Sequence, residues 1–100
     1  MTAFNIVRMR VKPGYEQQYL SVHRERSLEE MPGMRSLNVV QTGERDFCVI
    51  GEWTDMDALA AARPKMIALL DSFRDQLEDL GGDLGVTDPV SGQAVVSLGS

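Results

Sequence analysis

Residues 47–59, FCVIGEWTDMDAL, decide how the rest of the chain is read. Phe47, Val49, Gly51 and Trp53 alternate with Cys48, Ile50 and Glu52, the period-2 signature of a strand. Both sets contain apolar residues, so neither face of this strand is plainly solvated. Thr54 and Asp55 then supply N-cap oxygens, and Thr54 with Asp57 approximates a capping box, so a helix starts where the strand stops. Trp53, the only tryptophan, stands at that junction. Its ring reads either as the plug of a hydrophobic core or as the wall of a pocket.

Upstream, residues 4–11 form a first strand with Asn5, Val7, Met9 and Val11 on one face and Phe4, Ile6, Arg8 and Arg10 on the other. The turn KPG leads into a helix expected over residues 14–30, with Pro13 placed where its missing N–H costs nothing. Tyr15, Tyr19, Leu20, Val22 and Met31 share one side of that helix, and His23 falls within their arc. MPGM ends it, because Pro32 disfavours helical geometry at Met31 and Gly33 permits a turn. Strands over 35–41 and 46–53, linked by TGER, read as a hairpin.

Downstream, the helix MDALAAAR is expected to stop or kink at Pro64. A second apolar stripe, Met66, Leu69, Leu70, Phe73, Leu77 and Leu80, predicts a helix from Lys65 to Leu80 that ends at Gly81 and Gly82. In the tail, DPVSG reads as a turn before a last strand near 93–98, which pairs with a short one over 84–87. The order strand, helix, strand, strand, helix, strand is that of an α+β, ferredoxin-like antiparallel sheet with helices on one face. The bare face still carries apolar side chains, and a homodimer closing through that open sheet face is the economical way to cover it.

Composition bounds the function. The 100 residues suit a single domain spanning 1–100, with 43% hydrophobic and 25% charged residues in the globular range. A net charge of −5 and the lack of a basic stripe argue against a nucleic-acid partner. No apolar run approaches the ~18 residues of a membrane span, and the N-terminus does not resemble a secretory signal, so no membrane role and a cytoplasmic location are expected. One cysteine, Cys48, and one histidine, His23, cannot build a tetrahedral metal site, and no P-loop, nucleophile elbow or dinucleotide fingerprint is present. No metal and no cofactor are expected.

The strand-first start, KPG before the first helix, MPGM after it and VIGEWTDMDAL leading into the second helical region resemble the antibiotic biosynthesis monooxygenase domain of the dimeric α/β-barrel superfamily. The resemblance covers roughly residues 3–80. It implies a dimeric barrel and admits several activities. The haem-degrading branch carries an Asn on the first strand, a Trp in the second helical region and a His ligand on the helix that follows. Asn5 can match the first, but Trp53 precedes the helix and no histidine follows His23, so the residues argue against that branch. The cofactor-independent oxygenase branch lines a pocket between sheet and helices with Asn, Trp, Tyr and Arg. Asn5, Trp53, Tyr15 and Tyr19 agree with it in type.

The resemblance thus implies a cofactor-independent monooxygenase of an aromatic or enolisable small molecule. His23 is the candidate base, Asn5 the oxyanion donor, and Trp53, Tyr15 and Tyr19 the substrate pocket. Each has a plainer reading as well: His23 as a half-buried, backbone-bonded side chain, Asn5 as a cross-strand pair, the tyrosines as core with wet hydroxyls. On these plainer readings the chain is a non-catalytic dimeric small-molecule-binding or accessory protein. A length argument places His23, about 15 Å along its helix, near the level of Val7, one pleat repeat short of Asn5. The two can line one cavity without touching.

Overall fold

The computed structural model describes residues 1–99. Strand β1 (Ala3–Arg10) leads through the KPG turn to helix α1 (Glu16–Arg24) and a 3-10 turn at Leu28–Glu30. Strands β2 (Met34–Gln41) and β3 (Asp46–Trp53) follow as a hairpin, then helix α2 (Met56–Phe73), a 3-10 turn at Arg74–Gln76 and strand β4 (Asp88–Gln93). The strands lie in the order β2-β3-β1-β4, every neighbouring pair antiparallel. This is the ferredoxin-like α+β fold expected from the alternation of elements.

Strand β3 alternates strictly, with Phe47, Val49, Gly51 and Trp53 buried and the residues between them only partly covered. Its register with β1 places Ala3 opposite Trp53, Asn5 opposite Gly51, Val7 opposite Val49 and Met9 opposite Phe47, so these residues share the helix-facing side. Ile6 stands opposite Ile50 on the open side.

Several expectations about elements need correction. The first helix does not reach residue 30. Ser27 takes an extended conformation and its hydroxyl accepts a bond from Glu29 N–H at 3.3 Å, starting a separate 3-10 turn. Such local side-chain bonds compete with continued helix. The second correction is that residues 56–73 form one helix running through Pro64. Pro64 and Ala60, the residue whose carbonyl loses its donor, are both exposed, so water satisfies the carbonyl while Leu59, Ala62 and Met66 hold the helix against the sheet. That helix stops at Phe73 rather than Leu80. Leu77 is buried in extended geometry, bridged to Val11, with Glu78 N–H bonded to Arg10 O at 2.8 Å. Lastly, DPVSG is no turn: it is most of β4, and neither 84–87 nor 94–99 forms a strand. Pro89 sits there without conflict because β4 is an edge strand with β1 as its one neighbour.

The buried residues fall into two clusters. Met9, Val11, Tyr19, Phe47, Val49, Phe73 and Leu77 make one. Ala3, Met31, Met34, Trp53, Leu59 and Ala62 make the other. Asp55 caps α2 by accepting from Ala58 N–H at 2.8 Å, and the Gly33 carbonyl accepts from Thr54 N–H at 2.8 Å, so the start of α2 is tied to the turn before β2. Gly33 has a φ of 89°, and a Cβ there would stand 2.5 Å from the Ala58 Cβ. Gly33→Ala is therefore expected to lose about 2–4 kcal/mol, combining left-handed strain with overpacking. Urea unfolding measures this, and a midpoint equal to wild type refutes it.

Candidate functional site

Between the two clusters lies a cavity of about 430 Å³, roofed by α2 and floored by the helix-facing side of the sheet. Val7, Met9, Leu37, Val49, Met66 and Leu70 give it an apolar wall. Arg63 and Ile67 of α2 and Pro89, Val90 and Ser91 of β4 also line it and are exposed, which locates the mouth between that helix and the edge strand. The polar groups on the lining are Asn5, His23, Arg26, Arg63, Thr87 and Ser91, with no carboxylate among them.

Asn5 is oriented by its neighbour. Trp53 Nε1–H donates to Asn5 Oδ1 at 2.7 Å. An indole N–H can only donate, so the amide must turn its oxygen toward it and its nitrogen away. Nδ2 then meets Met66 Sδ at 3.8 Å, a weak acceptor on the cavity wall, and is otherwise unused. Gly51, directly across from Asn5, makes room for the pair, since a Cβ there would run into Asn5 Oδ1 and Trp53 Nε1. Ser91 is the cross-strand neighbour of Asn5 on its other side. Arg63 Nη2 donates to Ser91 Oγ at 3.2 Å, joining α2 to β4 over the mouth. Asn5, Ser91 and Arg63 therefore gather donors at one end of the cavity.

His23 belongs to the other end. It is 9% exposed, and its ring meets Tyr19 edge-on at 4.7 Å between centroids and Phe73 at 5.6 Å. Arg26 Nη1 lies 3.3 Å from Nδ1. A guanidinium also only donates, so Nδ1 accepts and the neutral ring carries its hydrogen on Nε2. Nε2 is sealed from solvent and has no hydrogen-bond partner. Burial first, and the Arg26 charge second, lower the His23 pKa from 6.5 to about 4. The imidazole is thus a neutral donor with its basic nitrogen occupied, a poor match to a proton-abstracting role.

Of the remaining residues singled out from sequence, Trp53 and Tyr19 are fully buried, Tyr15 is 41% exposed, and none of the three lines the cavity. Burial raises the pKa of Tyr19, whose hydroxyl has no partner. Trp53 touches the site through Asn5 alone. Arg26, Arg63 and Ser91 escaped the sequence reading. Arg26 follows His23 by three residues, just past the end of α1, whereas Ser91 joins the site only through the pairing of β4 with β1. Among the described residues no cluster of three His, Cys, Asp or Glu side chains could hold a metal ion.

Residues 2–64 match the sequence model of the family described as antibiotic biosynthesis monooxygenase. The chain belongs to the antibiotic biosynthesis monooxygenase family. No curated protein matches the sequence. Among solved structures, SnoaB of Streptomyces nogalater, a cofactor-independent oxygenase, is similar at a TM-score of 0.75 and 17% identity, covering 99% of this chain and 98% of that one. A Nitrosomonas europaea protein of unknown function, NE2512, is similar at 0.72 and 15% identity, with 99% and 94% covered. A conserved protein from Methanosarcina mazei Go1 gives 0.72 and 17% identity, with 93% and 92% covered. At these identities the likeness is one of fold. The monooxygenase-family match ends at Pro64, so β4 and its Ser91 lie beyond it.

The buried neutral His23 has a consequence for stability. The unfolded chain protonates this ring near its ordinary 6.5, the folded protein near about 4. Between those values the unfolded state binds the extra proton, so stability falls as pH drops through the window, by up to on the order of 3 kcal/mol. Urea titrations at pH 7 and pH 4.5 should show a smaller loss for His23→Gln than for wild type. Equal losses would refute the neutral buried ring.

Proposed function

We propose that this protein is a cofactor-independent monooxygenase of an aromatic or enolisable small molecule, acting through oxyanion stabilisation at Asn5. The observation that supports this most is the forced orientation of the Asn5 amide, which leaves an unused N–H donor on the wall of an apolar cavity. Ser91 and Arg63 stand beside it as further donors. A donor set in a water-poor cavity favours a substrate oxygen that gains negative charge. SnoaB, similar in fold, is a cofactor-independent oxygenase.

In the reaction, a substrate methylene conjugated to a carbonyl or phenol loses a proton, and the resulting oxyanion rests on Asn5 Nδ2–H, Ser91 and Arg63. The electron-rich anion passes one electron to dioxygen, and the two radicals combine to form the carbon–oxygen bond. Protonation gives a hydroperoxide, which loses water to leave a ketone. The methylene carbon thus exchanges its two hydrogens for one oxygen atom, and the second oxygen atom departs with those hydrogens as water. The proton first removed passes to solvent at the mouth, and an equivalent proton returns to the peroxide. His23, neutral and bonded through Nδ1, serves as wall and donor at the far end. This turns the role first expected of it from base to support.

A homodimer through the open sheet face completes the proposal. Ile50, Ile6 and Val90 form one row across that face by register, and Val90 and Val40 are 60% and 42% exposed. Sheet-on-sheet association buries this row. Ile50→Lys is expected to convert a dimer to a monomer in analytical ultracentrifugation, and a wild-type protein that sediments as a monomer would remove the dimer.

Asn5→Asp tests the chemistry. It keeps an oxygen for Trp53 and replaces the cavity-facing donor with an acceptor. With anthrones, which carry such a methylene, as substrates, the oxygen uptake seen with wild type should fall about 100-fold or more in kcat. Uptake unchanged by the substitution sinks the role of Asn5. No uptake by wild type on any substrate leaves the binding-protein reading.

A further inference from the structure

The oxygen-holding end of the cavity leaves Arg26 unused. The chain is acidic, with 15 Asp and Glu against 10 Lys and Arg, yet the cavity lining carries Arg26 and Arg63 and no carboxylate. Three other arginines, Arg10, Arg45 and Arg74, each hold an acidic side chain. Among the described residues Arg26 makes no such pair, and its one side-chain bond goes to the neutral His23 ring. Glu30, on the 3-10 turn, lies close enough to favour the Arg26 charge without forming an ion pair. Burial disfavours that charge and lowers the Arg26 pKa, so a half-buried guanidinium stands without an ion-pair partner beside an apolar wall. A planar anion is what such a group lacks, because the guanidinium fork meets a carboxylate with two parallel bonds.

The two ends of the cavity are well separated. Arg26 shares the lining with Leu69, six residues along α2 from Arg63, or about 9 Å at 1.5 Å per residue. Between them the wall is apolar: Val7, Val49, Met66, Leu70 and Phe73. We propose that the cavity takes an apolar, ring-bearing molecule with a carboxylate at one end, which Arg26 holds, and an oxygen at the other, which faces Asn5, Ser91 and Arg63. Binding at Arg26 stands on the cavity alone, and which end reacts rests on the oxygenase reading.

The test is calorimetric titration of the full chain at pH 7 with 6-hydroxy-2-naphthoate and with its methyl ester. The acid carries a hydroxyl and a carboxylate at opposite ends of two fused rings, and the ester removes only the charge. Wild type should bind the acid at least tenfold more tightly than the ester. Arg26→Gln should bring the acid to within threefold of the ester, and Arg63→Gln should weaken both compounds by similar factors. Equal affinities in wild type, binding of neither compound, or an acid preference that survives Arg26→Gln overturns the proposal. If Arg26→Gln does not fold, the wild-type ratio alone decides. Oxygen uptake on neutral substrates without any acid preference keeps the oxygenase reading and removes this one. An acid preference in a protein that consumes no oxygen does the reverse.

Discussion

One hydrogen bond, from the Trp53 indole to the Asn5 amide oxygen, constrains the site. Its net stabilisation is on the order of 1 kcal/mol, a modest share of what holds the fold. Its directional effect is larger. A side chain that could present either an acceptor or a donor to the cavity is made to present a donor. The requirement reaches back into β3, where only glycine fits at position 51 opposite Asn5, and forward into the start of α2, whose cap follows Trp53 by two residues. The junction that reads as a fold signature is also the brace of the polar end of the cavity.

The same logic recurs at His23. A donor-only partner, Arg26, dictates which nitrogen carries the hydrogen, and burial keeps the ring neutral. Asn5 and His23, two of the cavity's ambivalent side chains, are thereby fixed with the same polarity. With two guanidinium groups added and carboxylates absent from the lining, the interior is electropositive within a chain whose net charge is −5. Composition describes the outer surface, and the cavity runs against it.

The alternation of β1 and β3 is readable because the fully buried residues of each strand all fall on one face, which requires period 2. Helix rise and strand rise set the levels of Asn5 and His23 and allow both to line one cavity, as they do. The tail was misread because a proline and a glycine in six residues look like a turn, while an edge strand tolerates both. Pro64 does not end the helix, since it and Ala60, whose carbonyl loses its donor, are both exposed residues. Ser91 could not be found without β4, and Arg63 becomes informative only once β4 is seen across from it. The roles of Trp53 and Tyr19 depended on which atoms are sealed, a matter of three-dimensional packing that residue type alone does not determine.

The division of the interior into two clusters carries a thermodynamic consequence. Each cluster is anchored to its own stretch of the same sheet, and the space between them is filled by nothing the chain encodes. A ligand seated there becomes the missing middle of the core and contacts both halves at once. Occupancy and folding are then linked equilibria, so a compound that binds only the folded state raises the unfolding temperature with the logarithm of one plus the ratio of its free concentration to its Kd. The protein serves as its own indicator of what belongs in the cavity, whatever chemistry follows.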